Sequence, residues 1–268
     1  MGSRSVHQAS VVGFVSHSKA QGQVTHQIDV LVSVASSLCA SGHSVLVVDA
    51  DRLLIGARLG LRLRYELADW VDGECSLNEI VQQSSTGLAV MSAAKAFSRD
   101  DGAQSYRHTA HSGIEALFRI VEGQVPESSQ KYDFVFIVGS ASVLRVLAKQ
   151  ALHSLWLVTT TQNTSIYGAA QSAASLSPHL GAQSLRIVYS DAADAHDCET
   201  AHVTLVQLVE QLTYKANSLS MSLQFAGAIE AKSIDNQSRT QQMIRQIAST
   251  MAKCHPIHSS HSSFSVAR

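Results

Sequence analysis

The chain of 268 residues carries 20 Lys+Arg against 21 Asp+Glu, a formal net charge of −1. Hydrophobic residues make up 45% and charged residues 15%, which excludes disorder over most of the length and provides for a substantial core. Balanced charge argues against wrapping nucleic acid, no apolar run approaches the ~20 residues of a membrane helix, and Met1-Gly2-Ser3-Arg4 opens no signal peptide. Cys39, Cys75, Cys198 and Cys254 are far apart and lack C-x-x-C spacing, so they read as thiols of a soluble cytoplasmic protein.

Short β-branched runs alternate with longer helical patterns from end to end. The first run, 11–16, precedes a helical stretch over 26–40; strands at 44–48 and 87–91 follow, then a helix over 112–121. Strand 132–138 leads to helix 142–150, strand 154–159 to helix 165–176, and strand 185–189 to helix 200–214. The last pair is strand 223–228 and helix 240–253, in which Ile244, Ile247 and Met251 recur at helical spacing. Nearly continuous apolar strands alternating with helices predict an α/β fold: three layers, α/β/α, around a mostly parallel sheet. Residues 1–253 read as one domain, and 254–268, rich in Ser and His, as a disordered tail.

In such a sheet, ligands bind beyond the carboxyl ends of the strands, so the first strand-to-helix turn is the place to look. It reads Ser16-His17-Ser18-Lys19-Ala20-Gln21-Gly22-Gln23-Val24-Thr25. A phosphate loop, G-x-x-x-x-G-K-[ST], uses glycines to bring backbone N–H groups to the phosphates and a lysine to neutralise them. Laid on that frame, Ser18 and Gln23 stand at the glycines and Val24 at the lysine; only Thr25, the magnesium-ligand position, fits.

The next block is more specific: Val45-Leu46-Val47-Val48-Asp49-Ala50-Asp51, then Leu59-Gly60-Leu61, Tyr65-Glu66-Leu67-Ala68-Asp69, and Gly73-Glu74-Cys75-Ser76-Leu77. Their order resembles the MinD/ParA-like P-loop ATPases, and most closely the flagellar branch called FlhG, FleN or YlxH. The likeness extends more weakly through the 132–137 strand and the turn Thr159-Thr160-Thr161-Gln162-Asn163-Thr164-Ser165. The resemblance places the family's signature lysine, which reaches across a dimer, at Lys19. Asp49 would organise magnesium and Asp51 the attacking water. Thr25 and Lys19 would touch the nucleotide, and Thr25 and Asp49 the metal.

Most of the machinery is nevertheless replaced. The loop glycines are Ala20, Gln21 and Gln23, the phosphate lysine is Val24, and the second acidic switch is Val138. The adenine-reading Asn is Tyr189 or Ser190, and the proline of the base-side loop is Glu230. Phosphoryl transfer is catalysed by positioning and charge neutralisation, and little remains here for either. The resemblance therefore implies a pseudo-ATPase: a non-hydrolysing regulator or scaffold of bacterial flagellar or polar-organelle placement, number or assembly, needing no cofactor. It would act through a protein partner, as a homodimer or as a heterodimer with an ATPase paralogue. It would be cytoplasmic or recruited to a membrane complex or cell pole, with no nucleic acid bound and no membrane helix of its own. The alternative is an active or weakly active ATPase with a rebuilt loop, taking ATP and magnesium at Lys19, Thr25, Asp49 and Asp51. A DNA-associating, ParA-like module is a third reading, opposed by the neutral charge.

Plainer roles stand beside these. Asp49 and Asp51 are suited to capping the segment after their strand, and Thr25 to N-capping a helix from His26. His17 reads as a solvated loop histidine, or as an anion holder when protonated. Arg62 and Arg64, alternating with Leu61, Leu63 and Tyr65, form a basic edge that is solvated or meets an acidic partner. His255, His258 and His261 offer at most a weak metal site.

Overall fold

Five strands with almost wholly buried sequences form the middle of one sheet in the structure, a computed structural model. It describes residues 9–17, 21–97, 105–122, 124–125, 131–148, 152–180, 184–214, 222–230 and 237–254. In chain order the elements are β1 (Ser10–Ser16), α1 (Gln21–Ala40), β2 (Val45–Asp49), α2 (Ile55–Arg58), α3 (Leu67–Val71), α4 (Leu77–Ile80), β3 (Val81–Gln83), β4 (Ala89–Ser92) and α5 (Ala94–Phe97). They continue with α6 (Ser105–Val121), β5 (Phe134–Ser140), α7 (Ala141–Ala148), β6 (Ser154–Thr160), α8 (Asn163–Leu180), β7 (Ser184–Ala192), α9 (Ala195–Tyr214), β8 (Ser222–Glu230) and α10 (Gln237–Cys254). The sheet runs β3-β4-β2-β5-β1-β6-β7-β8, and every pair is parallel except β3 with β4.

Strand side chains alternate between two apolar layers, as the period of two requires. Val11, Val15, Val135 and Ile137 join Leu117, Leu144, Leu176 and Leu205 from α6, α7, α8 and α9 on one face. Val12, Phe14, Phe136 and Trp156 join Leu31, Leu38 and Met251 from α1 and α10 on the other. The expected three-layer α/β architecture with a mostly parallel sheet is thus the observed one. Among the described residues no helix is long and apolar enough to cross a membrane.

Three local expectations need correction. Helix α1 starts at Gln21, so Thr25 lies inside the helix and is not its N-cap. An eighth strand, β3, adds an antiparallel edge. With Gln82 and Gln83 in a three-residue run, it shows no apolar period to read. Helices α6 and α9 begin at Ser105 and Ala195, earlier than the apolar period suggests. In α9 the extension is capped by Asp194, whose Oδ1 accepts the Asp197 N–H at 2.8 Å. The tail beyond residue 254 lies outside the described residues.

Candidate functional site

The carboxyl ends of β2, β5, β1, β6 and β7 gather the residues singled out by the sequence. β1 lies between β5 and β6, whose chain positions are far later, and in open α/β sheets ligands bind at such a switch in strand order.

Asp49 ends β2 and is only 3% exposed. Its Oδ1 accepts the backbone N–H groups of Leu53 at 2.9 Å and Asp51 at 3.3 Å, and its Oδ2 accepts that of Ile55 at 3.2 Å. Burial pushes its carboxyl above the ordinary aspartate range, and the amides pull it partly back. Its register neighbour on β5 is Val138, apolar and 5% exposed. Asp51 is exposed, and its Oδ2 accepts the Ser140 N–H at 3.1 Å, tying the loop to the last residue of β5. Between these anchors the backbone is left-handed at Arg52 (φ 52°) and Leu54 (φ 59°). For such side chains this conformation costs roughly 1–2 kcal/mol per residue, a strain the carboxylate contacts hold in place.

On the other side of β1 sits His17. Gln27 Nε2 lies 2.8 Å from its Nδ1, and Ser165 Oγ 3.3 Å from its Nε2. With Nδ1 accepting from the amide, Nε2 carries the hydrogen and donates to Ser165. Ser165 Oγ also accepts the Thr160 N–H at 3.2 Å and lies 2.9 Å from Thr159 Oγ1, while Ser190 Oγ donates to the Thr159 carbonyl at 3.3 Å. Burial lowers the His17 pKa to about 4. The ring is therefore neutral at pH 7 and is neither a solvated loop histidine nor a cationic anion holder. Gln27 Oε1 is buried without a hydrogen-bond partner among the described residues. Beside it, among Ser16, Leu53 and Val138, a void of about 10 Å³ has room for one water.

The structure thus brings Asp49 and Asp51 together on one loop. Lys19 lies outside the described residues; Thr25 lies in α1, with its side chain outside them. Tyr189 is fully buried and stacks on Phe225 at 6.1 Å, with its hydroxyl 3.3 Å from His202 Nδ1, so it faces the core. Glu230 closes β8. Arg62 and Arg64 are exposed, the latter with its guanidinium 5.0 Å from the Tyr65 ring centroid. Among the described residues no three His, Cys, Asp or Glu side chains gather as a metal site, and His255, His258 and His261 lie outside them. The sequence reading missed Gln27, Ser165 as a partner of His17, and the two left-handed residues. Only the Ser165 turn carried a signal, through its likeness to the family pattern.

The sequence matches no family model and no curated protein. Solved structures do resemble it. The MinD cell division protein of Aquifex aeolicus superposes with a TM-score of 0.61 at 15% identity, over 91% of this chain and 98% of that one. A plasmid partition protein of Borrelia burgdorferi gives 0.60 at 11% identity, over 92% and 99%. Cobyrinic acid a,c-diamide synthase of Mycobacterium smegmatis, solved with bound ADP and magnesium, gives 0.62 at 14% identity, over 92% and 95%. This chain has a MinD-like P-loop fold. At these identities it is the fold that is shared.

Proposed function

We propose that this chain is a non-hydrolysing regulator or scaffold, nearest the flagellar FlhG branch, that acts through protein contacts in bacterial flagellar or other polar-organelle placement, number control or assembly. The observation that carries the reading is Asp49. A carboxylate that is 3% exposed and holds three backbone amides presents no free edge to a hydrated cation. Its neighbour Val138 supplies no second carboxylate, and Val24 stands where a phosphate lysine is needed. The donor set does not fit a magnesium nucleotide. Asp49, Asp51 and His17 instead hold the strand ends in one arrangement, which suits a partner surface that does not switch. A chain of this kind would cap or titrate an ATPase paralogue, with Lys19 the residue offered to the partner's site.

The deciding experiment is calorimetric titration of the full chain with ATP and with ADP, each with magnesium, up to millimolar nucleotide. The expected result is no saturable heat and no thermal shift. Micromolar binding, with phosphate release abolished by Asp51→Ala, would overturn the reading in favour of an ATPase rebuilt on Lys19, Thr25, Asp49 and Asp51.

A further inference from the structure

We propose that the groove between α8 and α9 receives this chain's own C-terminal segment, with Phe264 and Val266 on its apolar wall and Arg268 paired with Glu210. The docking needs no nucleotide and is independent of the function proposed above. The groove has a volume of about 680 Å³ and is lined by Tyr167, Leu208, Glu210, Gln211, Leu212 and Tyr214. Leu208, Gln211 and Leu212 recur at helical spacing on one face of α9. Tyr167 is 50% exposed and Tyr214 87%, so two large rings beside these leucines stand open to solvent. Charge selects what can lie there. Across its 18 residues α8 has no Asp, Glu, Lys or Arg, and Glu210 is the one charged residue in the described lining. An anionic bilayer or a nucleic acid is held by basic residues, which this lining lacks. An apolar segment with a single cation matches it.

The chain carries such a segment. Of the stretches outside the described residues, 255–268 alone holds an aromatic side chain, Phe264. It has no acid, and Arg268 is its only Lys or Arg. In extended form Phe264, Val266 and Arg268 share one side, two apolar groups followed by a cation.

Topology brings the segment within reach. Leu205 of α9 packs on one face of the sheet and Met251 of α10 on the other, and both helices lie against β8. Each follows a parallel strand, so each runs back to the amino edge of the sheet, where α9 ends at Tyr214 and α10 at Cys254. Helices on opposite faces of one sheet lie about 20 Å apart, two layer spacings of about 10 Å. Phe264 stands ten positions beyond Cys254, and ten extended residues reach about 33 Å. A tether this short holds the segment at about millimolar effective concentration, so even a weak contact is occupied. A partner protein that uses this face has first to displace it.

The test is nitration of surface tyrosines in the full chain with tetranitromethane, followed residue by residue by peptide mass spectrometry. Tyr167 and Tyr214 are expected to react at least about fivefold more slowly in the native chain than in Phe264→Ser/Val266→Ser. Tyr65, which does not line the groove, should react equally in both and so separates lost docking from lost folding. A peptide of residues 255–268 added to that variant should restore the protection, and the same peptide with Phe264→Ser should not. Glu210→Lys, at an exposed position of α9, should lose protection with its melting temperature unchanged. Equal Tyr214 reactivity in the native chain and the tail variant would overturn the proposal. So would protection that persists without Phe264 and Val266, or that rises with protein concentration, since another segment or a second copy would then fill the groove. None of these outcomes bears on the nucleotide titration, so the two readings fail separately.

Discussion

Asp49 and His17 show how single polar groups decide what the strand ends can do. Removing the Asp49 carboxylate leaves three amides without acceptors, that of Ile55 buried and those of Asp51 and Leu53 partly so, and the loss at a buried amide costs ~1–3 kcal/mol before relaxation. Asp49→Ala is expected to destabilise by about 3 kcal/mol in urea unfolding, and Asn, which keeps one acceptor oxygen, by about half as much. His17 carries the opposite liability. Its folded pKa of about 4 lies below the ordinary 6.5, so the unfolded chain binds a proton more readily. Its contribution is fully favourable above pH 6.5 and is lost as pH falls from 6.5 towards 4, by up to about 3 kcal/mol. Half-buried His202, also lowered by burial, acts with the same sign, whereas Asp49, raised by burial, acts with the opposite one. Melting curves from pH 7 to 4 should therefore be compared between the native chain and His17→Gln. The variant is expected to lose less stability on acidification, and parallel curves would refute the His17 assignment.

At the level of elements, α10 is the piece whose docking closes the second apolar layer. Met251 is fully buried beside Ile247 and Ala248 in the layer that α10 shares with α1. Met251→Ala is expected to cost about 3 kcal/mol, as for other large-to-small core changes, read as a lower denaturation midpoint. The Arg58–Asp29 pair that joins α2 to α1 is 39% exposed on each side, so breaking it with Asp29→Asn should cost under about 1 kcal/mol. Its importance is for loop placement more than for stability. The five central strands were legible because a strand buried on both faces must be apolar at nearly every position. The four short helices between β2 and α6 were not, since elements of four or five residues carry no full helical period. Two of them are instead marked by capping boxes, Glu66 with Asp69 and Ser76 with Glu79.

For the whole molecule, net charge −1 predicts that no field draws it to a polyanion, and a duplex DNA probe at about 150 mM salt is expected to migrate unretarded in its presence. A salt-sensitive shift would instead support the DNA-associating reading. By itself the amino-acid sequence determined the α/β class and the mostly parallel sheet, because these depend on composition and on periods of two and 3.6 along the chain. It also brought Asp49 and Asp51 to notice through their neighbours in the 45–77 block. Only the tertiary structure decided what those residues are engaged with. That His17 meets Ser165 across 148 positions and that Asp51 reaches Ser140 across 89 follow from the order of strands in the sheet. Hydrogen bonding and burial act over a few ångströms in space, and a linear chain does not state which of its distant segments will lie that close.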